Sequence, residues 1–214
     1  RRVLFRSGQV IATISSEPES YRVEIVPSRG SVSKAWVDVS VRGGKVLWMY
    51  VDSPIGPESI TPAAVVNAAK AFLADHGFQH MRQISRRDYQ GVSAIGFAYE
   101  QNGVIVYPDY VVVRVALDDG RVDGFEGTNY QVFHKIRSLK EPGISEDEAK
   151  EKVNPRLSVT DSRLAVILDD FYRETLMYEF KCQLGKDTYL VYINAETGEE
   201  EEVKKAETTG LELV

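Results

Sequence analysis

One cysteine, Cys182, occurs in 214 residues, so the chain can close no internal disulfide and build no thiolate zinc site. That lack does not assign it to the cytosol, since extracytoplasmic bacterial proteins often have none. Histidine is also scarce: His76, His80 and His134. The first two have the i, i+4 spacing of a metal pair, but Gly77 lies between them and no glutamate follows His76 as the zinc-protease motif requires. They read as solvent-facing loop residues. No apolar run approaches the roughly 18 to 20 residues that a bilayer-spanning helix needs. The densest, Tyr110 to Leu117, is broken by Arg114 and reads as a buried strand. The dinucleotide fingerprint, the phosphate-binding P-loop and the G-x-S-x-G elbow are missing as well. No metal, cofactor or catalytic residue is expected.

A surplus of basic charge is absent too. The formal net charge is −6, which argues against nucleic acid as a partner. The charge is unevenly spread. Residues 1–56 hold eight Lys/Arg against five Asp/Glu, residues 57–140 nine against nine, and residues 141–214 nine against eighteen. With 43% hydrophobic and 27% charged residues the composition is that of a globular chain, not a disordered one. The chain opens at Arg1 with neither methionine nor a signal-type apolar core, and is expected to be a fragment whose anchor or export signal lies upstream.

What the chain does contain is a repeated pattern. Three segments align on a glycine: Ala35 to Gly44, Val111 to Gly120 and Tyr189 to Gly198. Each has one alternate set apolar: Val37/Val39/Val41, Val113/Val115/Leu117 and Val191/Ile193/Ala195. A period of two marks a strand with one buried face. Gly44, Gly120 and Gly198 then fall at hairpin turns, and returning strands follow at Lys45 to Val51 and Arg121 to Phe125. Further strands are expected near 9–14, 21–26, 80–88, 92–100, 104–107, 157–168 and 174–184, with a turn at Asn102-Gly103.

Two of the repeats carry a helix upstream. Ile60-Thr61-Pro62 reads as staple, N-cap and first-turn proline, Val65, Ala69, Phe72 and Leu73 share a face, and Gly77 ends the helix. Ser145 and Glu148 form a capping-box pattern, Ala149 and Val153 continue the apolar face, and Pro155 closes the element. Cap and hairpin glycine lie 59 residues apart in one case and 53 in the other. The fold class is therefore α+β, each complete module one helix packed on an antiparallel meander. The modules are expected at 1–56, 57–140 and 141–214, the first truncated or lacking its helix.

Side chains that could carry function are few. Cys182 lies in an alternating strand and reads as a structural thiol. Asp169-Asp170 and Glu199 to Glu202 read as solvated acidic edges. Alternation fails at Leu47-Trp48-Met49-Tyr50-Val51, where both strand faces are apolar. One face serves the module's own core, and the other awaits a neighbouring module or a partner. Trp48 and Tyr50, with Tyr107 and Tyr110 around Pro108-Asp109, are the candidate partner-binding residues. The proline suits an edge strand or a strand entry.

The capped opening Ile144 to Ala149, followed by alternating strands that end in Tyr192-Ile193-Asn194-Ala195-Glu196-Thr197-Gly198-Glu199, resembles the PepSY domain of peptidase propeptides. Val39 to Trp48, Tyr107-Pro108-Asp109, Gly124-Phe125-Glu126 and Val153 to Leu157 are similar to the C-terminal region of the YpeB family of spore germination proteins. The resemblance spans roughly Ile14 to Val203. It implies tandem PepSY modules and a role other than catalysis, tied to a cortex-lytic, peptidoglycan-cleaving enzyme of the SleB type that the protein binds, stabilises or restrains. It also implies an extracytoplasmic place in the spore envelope, on the outer side of the inner spore membrane. Membrane attachment would come only through an N-terminal anchor that this fragment does not include. The alternatives are a peptidoglycan- or small-ligand-binding module of the spore envelope, or a cell-wall hydrolase.

Overall fold

The structure, a computed structural model, describes residues 8–16, 19–27, 33–169, 171–206 and 211–213, with side chains described for 20–26, 33–169 and 171–206. The chain forms two compact units. The first is Arg1–Phe78 with Asp88–Gly96 and Val111–Val132; the second is Gln79–Arg87, Phe97–Tyr110 and Phe133–Val214.

In the first unit, β1 (Gly8–Ser16), β2 (Glu19–Pro27), β3 (Lys34–Ser40) and β4 (Val46–Asp52) run as an antiparallel meander. Next to β4 lies β8 (Val122–Glu126), and next to β8 the C-terminal part of β7 (Val104–Ala116), again antiparallel. The register puts Val37, Met49, Phe125 and Val113 in one row. Helix α1 (Pro62–Asp75) covers this face, with Phe72 and Phe125 rings 5.5 Å apart. It starts where the sequence predicts: the Thr61 hydroxyl accepts from Ala64 N and Pro62 fills the first turn. Val65, Ala69 and Leu73 are buried. A short α2 (Thr128–Phe133) follows β8, and Tyr130 meets Phe78 edge-on at 4.9 Å. Among the described residues no helix precedes α1.

The second unit holds parts of β5 (Met81–Tyr89), β6 (Val92–Gln101) and β7, together with β9 (Ser158–Leu168), β10 (Glu174–Leu184), β11 (Asp187–Asn194) and β12 (Glu200–Lys205). Strands β9 to β12 are an antiparallel meander, and β13 (Leu211–Leu213) pairs with β5. Helix α3 (Glu146–Lys150) has the capping box that its sequence encodes: Glu148 N donates to Ser145 Oγ, and Ser145 N to the Glu148 carboxylate at 2.8 Å. Ala149 and Val153 pack with Tyr178, Phe180, Cys182, Val191, Ile193 and Ala195. The Tyr178 hydroxyl reaches back to Ile144 O at 2.9 Å, fixing the entry to α3 on β10.

One expectation is corrected. Separate strands on either side of Pro108 are in fact one strand, β7, of 13 residues, and Pro108 sits inside it, not at its entry. On one stretch β7 is paired with β9, at Ile105 and Val106, and on another with β8, from Val112 to Val115. Pro108 occupies the gap between those two ladders, where neither β8 nor β9 is paired with β7. Outside the meanders, β7 and β9 run parallel. The chain between them, which includes β8, α2 and α3, is long enough for the crossover that a parallel pair requires.

Gly143 is fixed by contact. Its N–H donates to Ala195 O at 2.8 Å, and a Cβ there would lie 2.7 Å from the carbonyl oxygen of Glu196. Gly143→Ala should lower the unfolding free energy by about 1–3 kcal/mol, the range for a forced backbone shift, as measured by urea titration.

Candidate functional site

The face of the first unit turned away from α1 carries two cross-strand rows. One is Arg22, Asp38, Trp48, Glu126 and Val112; the next is Glu24, Trp36, Tyr50, Gly124 and Arg114. Trp48 and Tyr50, singled out by sequence, therefore stand side by side, ring centroids 6.3 Å apart. Trp36 stacks on Tyr50 at 6.0 Å with planes inclined by 12°. All three rings are half-buried. Trp36 escaped the sequence reading because a bulge between Asp38 and Val39 shifts the β3–β4 register by one residue. Counting back from the Gly43-Gly44 turn without that bulge sets Trp36 opposite Met49, not Tyr50.

Arginines complete the face. Arg22 grips Asp38 with two hydrogen bonds of 2.7 and 2.6 Å and lies over Trp48, 5.3 Å from the ring centre. Arg114 lies 5.0 Å over Tyr50 and pairs with the buried Asp123 carboxylate at 3.1 Å. Burial pushes the Asp123 carboxyl above the usual range, opposed by the charges of Arg114 and Arg121. Gly124 is what lets Arg114 reach the ring, since a Cβ at 124 would stand 3.0 Å from Arg114 Cβ and 3.3 Å from its Cδ. Flat aromatic area with guanidinium groups held over it is the composition of interface hot spots, and it offers shape and charge to a partner without a reacting group.

The other predicted contact residues lie in the second unit. Tyr107 and Tyr110 pack on Ala98, Ile105 and Ala165. The Tyr107 hydroxyl faces the buried Glu179 carboxylate, which Arg163 pairs at 2.9 Å; burial, then the Glu179 charge, raises the phenol. The turn glycines Gly44, Gly120 and Gly198 have φ of 61°, 79° and 76°. Cys182 is buried, and burial pushes its thiol up, away from nucleophilic use. His76 is exposed, its Nδ1 2.7 Å from Phe72 O.

One cluster was not assembled by the sequence reading. The fully buried Asp109 carboxylate accepts two hydrogen bonds of 2.8 Å from Arg137 and lies 2.7 Å from His134 Nδ1. Arg137 also reaches Glu174 at 2.8 Å and the carbonyls of Lys135 and Phe133. Gln101 holds the Arg137 backbone at both N and O. Residues 25 to 37 positions apart in sequence meet here, and no local spacing in the sequence brings them together. Arg137 is used up on carboxylates and carbonyls of its own unit, so the cluster ties segment 133–137 to β6, β7 and β10.

Fold and faces define a class: a chain of PepSY-type α+β modules, one sheet face of which carries aromatic rings with guanidinium groups over them. Residues 9–140 match the family described as YpeB sporulation, PepSY1 and PepSY2 domains, and residues 143–204 match the peptidase propeptide and YPEB domain. The chain belongs to the YpeB sporulation protein family. It is 38% identical to sporulation protein YpeB of Halalkalibacterium halodurans and 32% identical to that of Bacillus subtilis, in each case over 79% of this chain and 38% of the relative. It thus spans well under half the length of these curated relatives. Among solved structures, the Bacillus megaterium YpeB C-terminal domain superposes with a TM-score of 0.81 at 32% identity, covering 94% of this chain and 90% of that one.

Arg137→Ala strands a buried carboxylate and should cost about 3–5 kcal/mol, while Arg137→Lys, which cannot make the two-pronged contact, should recover only part of it in the same urea titration. Glu174 generates a pH effect. Burial pulls its carboxyl up, but hydrogen bonding and charge from Arg137 outweigh that and hold it below the usual glutamate range. Its stabilising contribution is complete above that range and is lost as pH falls through the folded-state value. Stability measured against pH should fall on the acid side, and Glu174→Gln should make that fall shallower.

Proposed function

We propose that this chain is a non-enzymatic contact module that binds and restrains or stabilises a cortex-lytic enzyme of the SleB type, in the extracytoplasmic space of the spore envelope. The observation that carries the reading is the Trp36, Trp48 and Tyr50 surface with Arg22 and Arg114 laid over it, on the sheet face opposite α1. Family membership supports the sporulation context. Among the described residues no helix is long and apolar enough to cross a membrane, and no group of three His, Cys, Asp or Glu could hold a metal ion. The Asp109–His134 pair, the nearest approach to an acid–base dyad, has its carboxylate locked by Arg137, which argues for a structural role over hydrolysis.

In the complex, the rings supply rigid contact area that costs little side-chain entropy. The guanidinium groups, already held by Asp38 and Asp123, orient carboxylates of the partner without having to be ordered on binding. The same flat rings favour a competing reading, stacking on the sugar rings of peptidoglycan.

Calorimetry of the 214-residue chain with a purified SleB-type enzyme separates these. Binding is expected, and Trp48→Ala or Tyr50→Ala should weaken it by about 2 kcal/mol or more with the circular dichroism unchanged. Heat released with insoluble peptidoglycan and none with the enzyme would transfer the face to the sugar polymer. Unaltered enzyme affinity in both variants would remove it from the interface.

A further inference from the structure

The free edge of the second unit carries a second pattern, independent of the aromatic face. Strand β12 pairs with β11 on one side and has no neighbour on the other among the described residues. All six of its side chains are exposed. Edges are ordinarily protected by charge of one sign, which repels any approaching strand. Here the sign reverses about an apolar centre: Glu201 and Glu202 precede Val203, and Lys204 and Lys205 follow it. Val203 itself is 45% exposed.

We propose that β12 is a self-association edge, through which two copies of this chain pair antiparallel about a two-fold axis at Val203. Three physical points converge on that register. The first is backbone direction. Ala206 N donates to Thr188 O, so by the alternation of an antiparallel ladder the N–H and C=O of Val203 point to the free edge. Two copies meeting there exchange a pair of hydrogen bonds between their Val203 residues.

The second is symmetry. Residues opposite one another across an antiparallel pair share a face, so a two-fold perpendicular to the sheet must pass through a residue paired with its own copy. Centring on Glu202 or Lys204 would set like charges together. Val203 sets an apolar contact there.

The third is charge. Centring on Val203 places Glu202 opposite the second copy's Lys204, and Glu201 opposite its Lys205, each twice by symmetry. Parallel pairing would place glutamate on glutamate and lysine on lysine. Within one chain Glu202 already pairs with Lys204 at 2.7 Å, Lys205 with Asp187 at 2.8 Å, and Glu201 accepts from Asn194 Nδ2 at 3.0 Å. These contacts are solvent-exposed and individually weak, so they adjust at little cost. Joined in the dimer, Glu202 and Lys204 of both copies close a ring of four alternating charges. A bulge at Glu201, between the Tyr192–Glu202 and Ile193–Glu200 pairs, interrupts the regular ladder there, which keeps the regular paired segment short, makes Glu201–Lys205 the weaker contact and keeps the association modest.

Sedimentation equilibrium of the 214-residue chain at low ionic strength tests this. A monomer–dimer equilibrium is expected at tens to hundreds of micromolar. The double variants E201K/E202K and K204E/K205E should each raise the dimer Kd by about tenfold or more, since attraction becomes repulsion at every pair. An equimolar mixture of the two should associate again, as an all-basic edge against an all-acidic one. Val203→Pro should abolish pairing and leave the β11 ladder intact, because the N–H it removes points outward. Circular dichroism and thermal melts on each variant confirm the fold. The proposal fails if the natural chain stays monomeric at several hundred micromolar. It fails equally if a dimer persists in Val203→Pro, or if the mixed charge variants do not associate.

Discussion

A buried carboxylate has to be answered, and in this chain Asp109 sets the terms for what surrounds it. It sits in β7 beside Pro108, where the strand is between ladders, and it is wholly withdrawn from water. A charge in that position is tolerable only if a partner of opposite sign arrives with hydrogen bonds in the right geometry. Arg137 does so with both terminal nitrogens, and its remaining donors are taken by Glu174 and two carbonyls. The segment that carries Arg137 is thereby fixed between the end of α2 and the approach to α3. Gln101, which binds that segment by its backbone, keeps the arginine in register. Polar groups thus determine the chain's path where no helix or strand exists to do so.

On the sheet of the first unit the same chemistry serves another end. Arg22–Asp38 and Arg114–Asp123 hold guanidinium groups over aromatic rings, so charge and π surface are presented together and already ordered. Association then costs less side-chain entropy than it would for free arginines. The helix-covered face, lined by Val37, Met49, Phe125 and Val113, stabilises the unit, and the rings and guanidinium groups lie on the opposite face. The β12 edge of the second unit is a different kind of surface, polar and strand-like, with charges that reverse sign about Val203.

Much of this was legible in the sequence because it depends on neighbours in the chain. Thr61-Pro62 and Ser145 with Glu148 give caps whose bonds close within three residues, and both helices begin where those residues say. Val191, Ile193 and Ala195 alternate onto the α3 core as their period of two requires. The failure of alternation at Trp48 and Tyr50 marked a second, unusual face. Pro108 misled because a proline within a strand is informative only once the strand's neighbours are known, and it falls between the stretches where β7 pairs with β9 and with β8.

By itself, then, the order of residues determined the two capped helices, the hairpin turns, the charge distribution and the class of fold, all consequences of local periodicity and capping. Tertiary structure alone decided that Trp36 joins Trp48 and Tyr50, that Arg137 finds Asp109, and that β7 pairs in parallel with β9. The reason is register. A single-residue bulge or a change of strand partner moves every later side chain to a new neighbour, and its energy is settled by packing across strands that lie far apart in the chain.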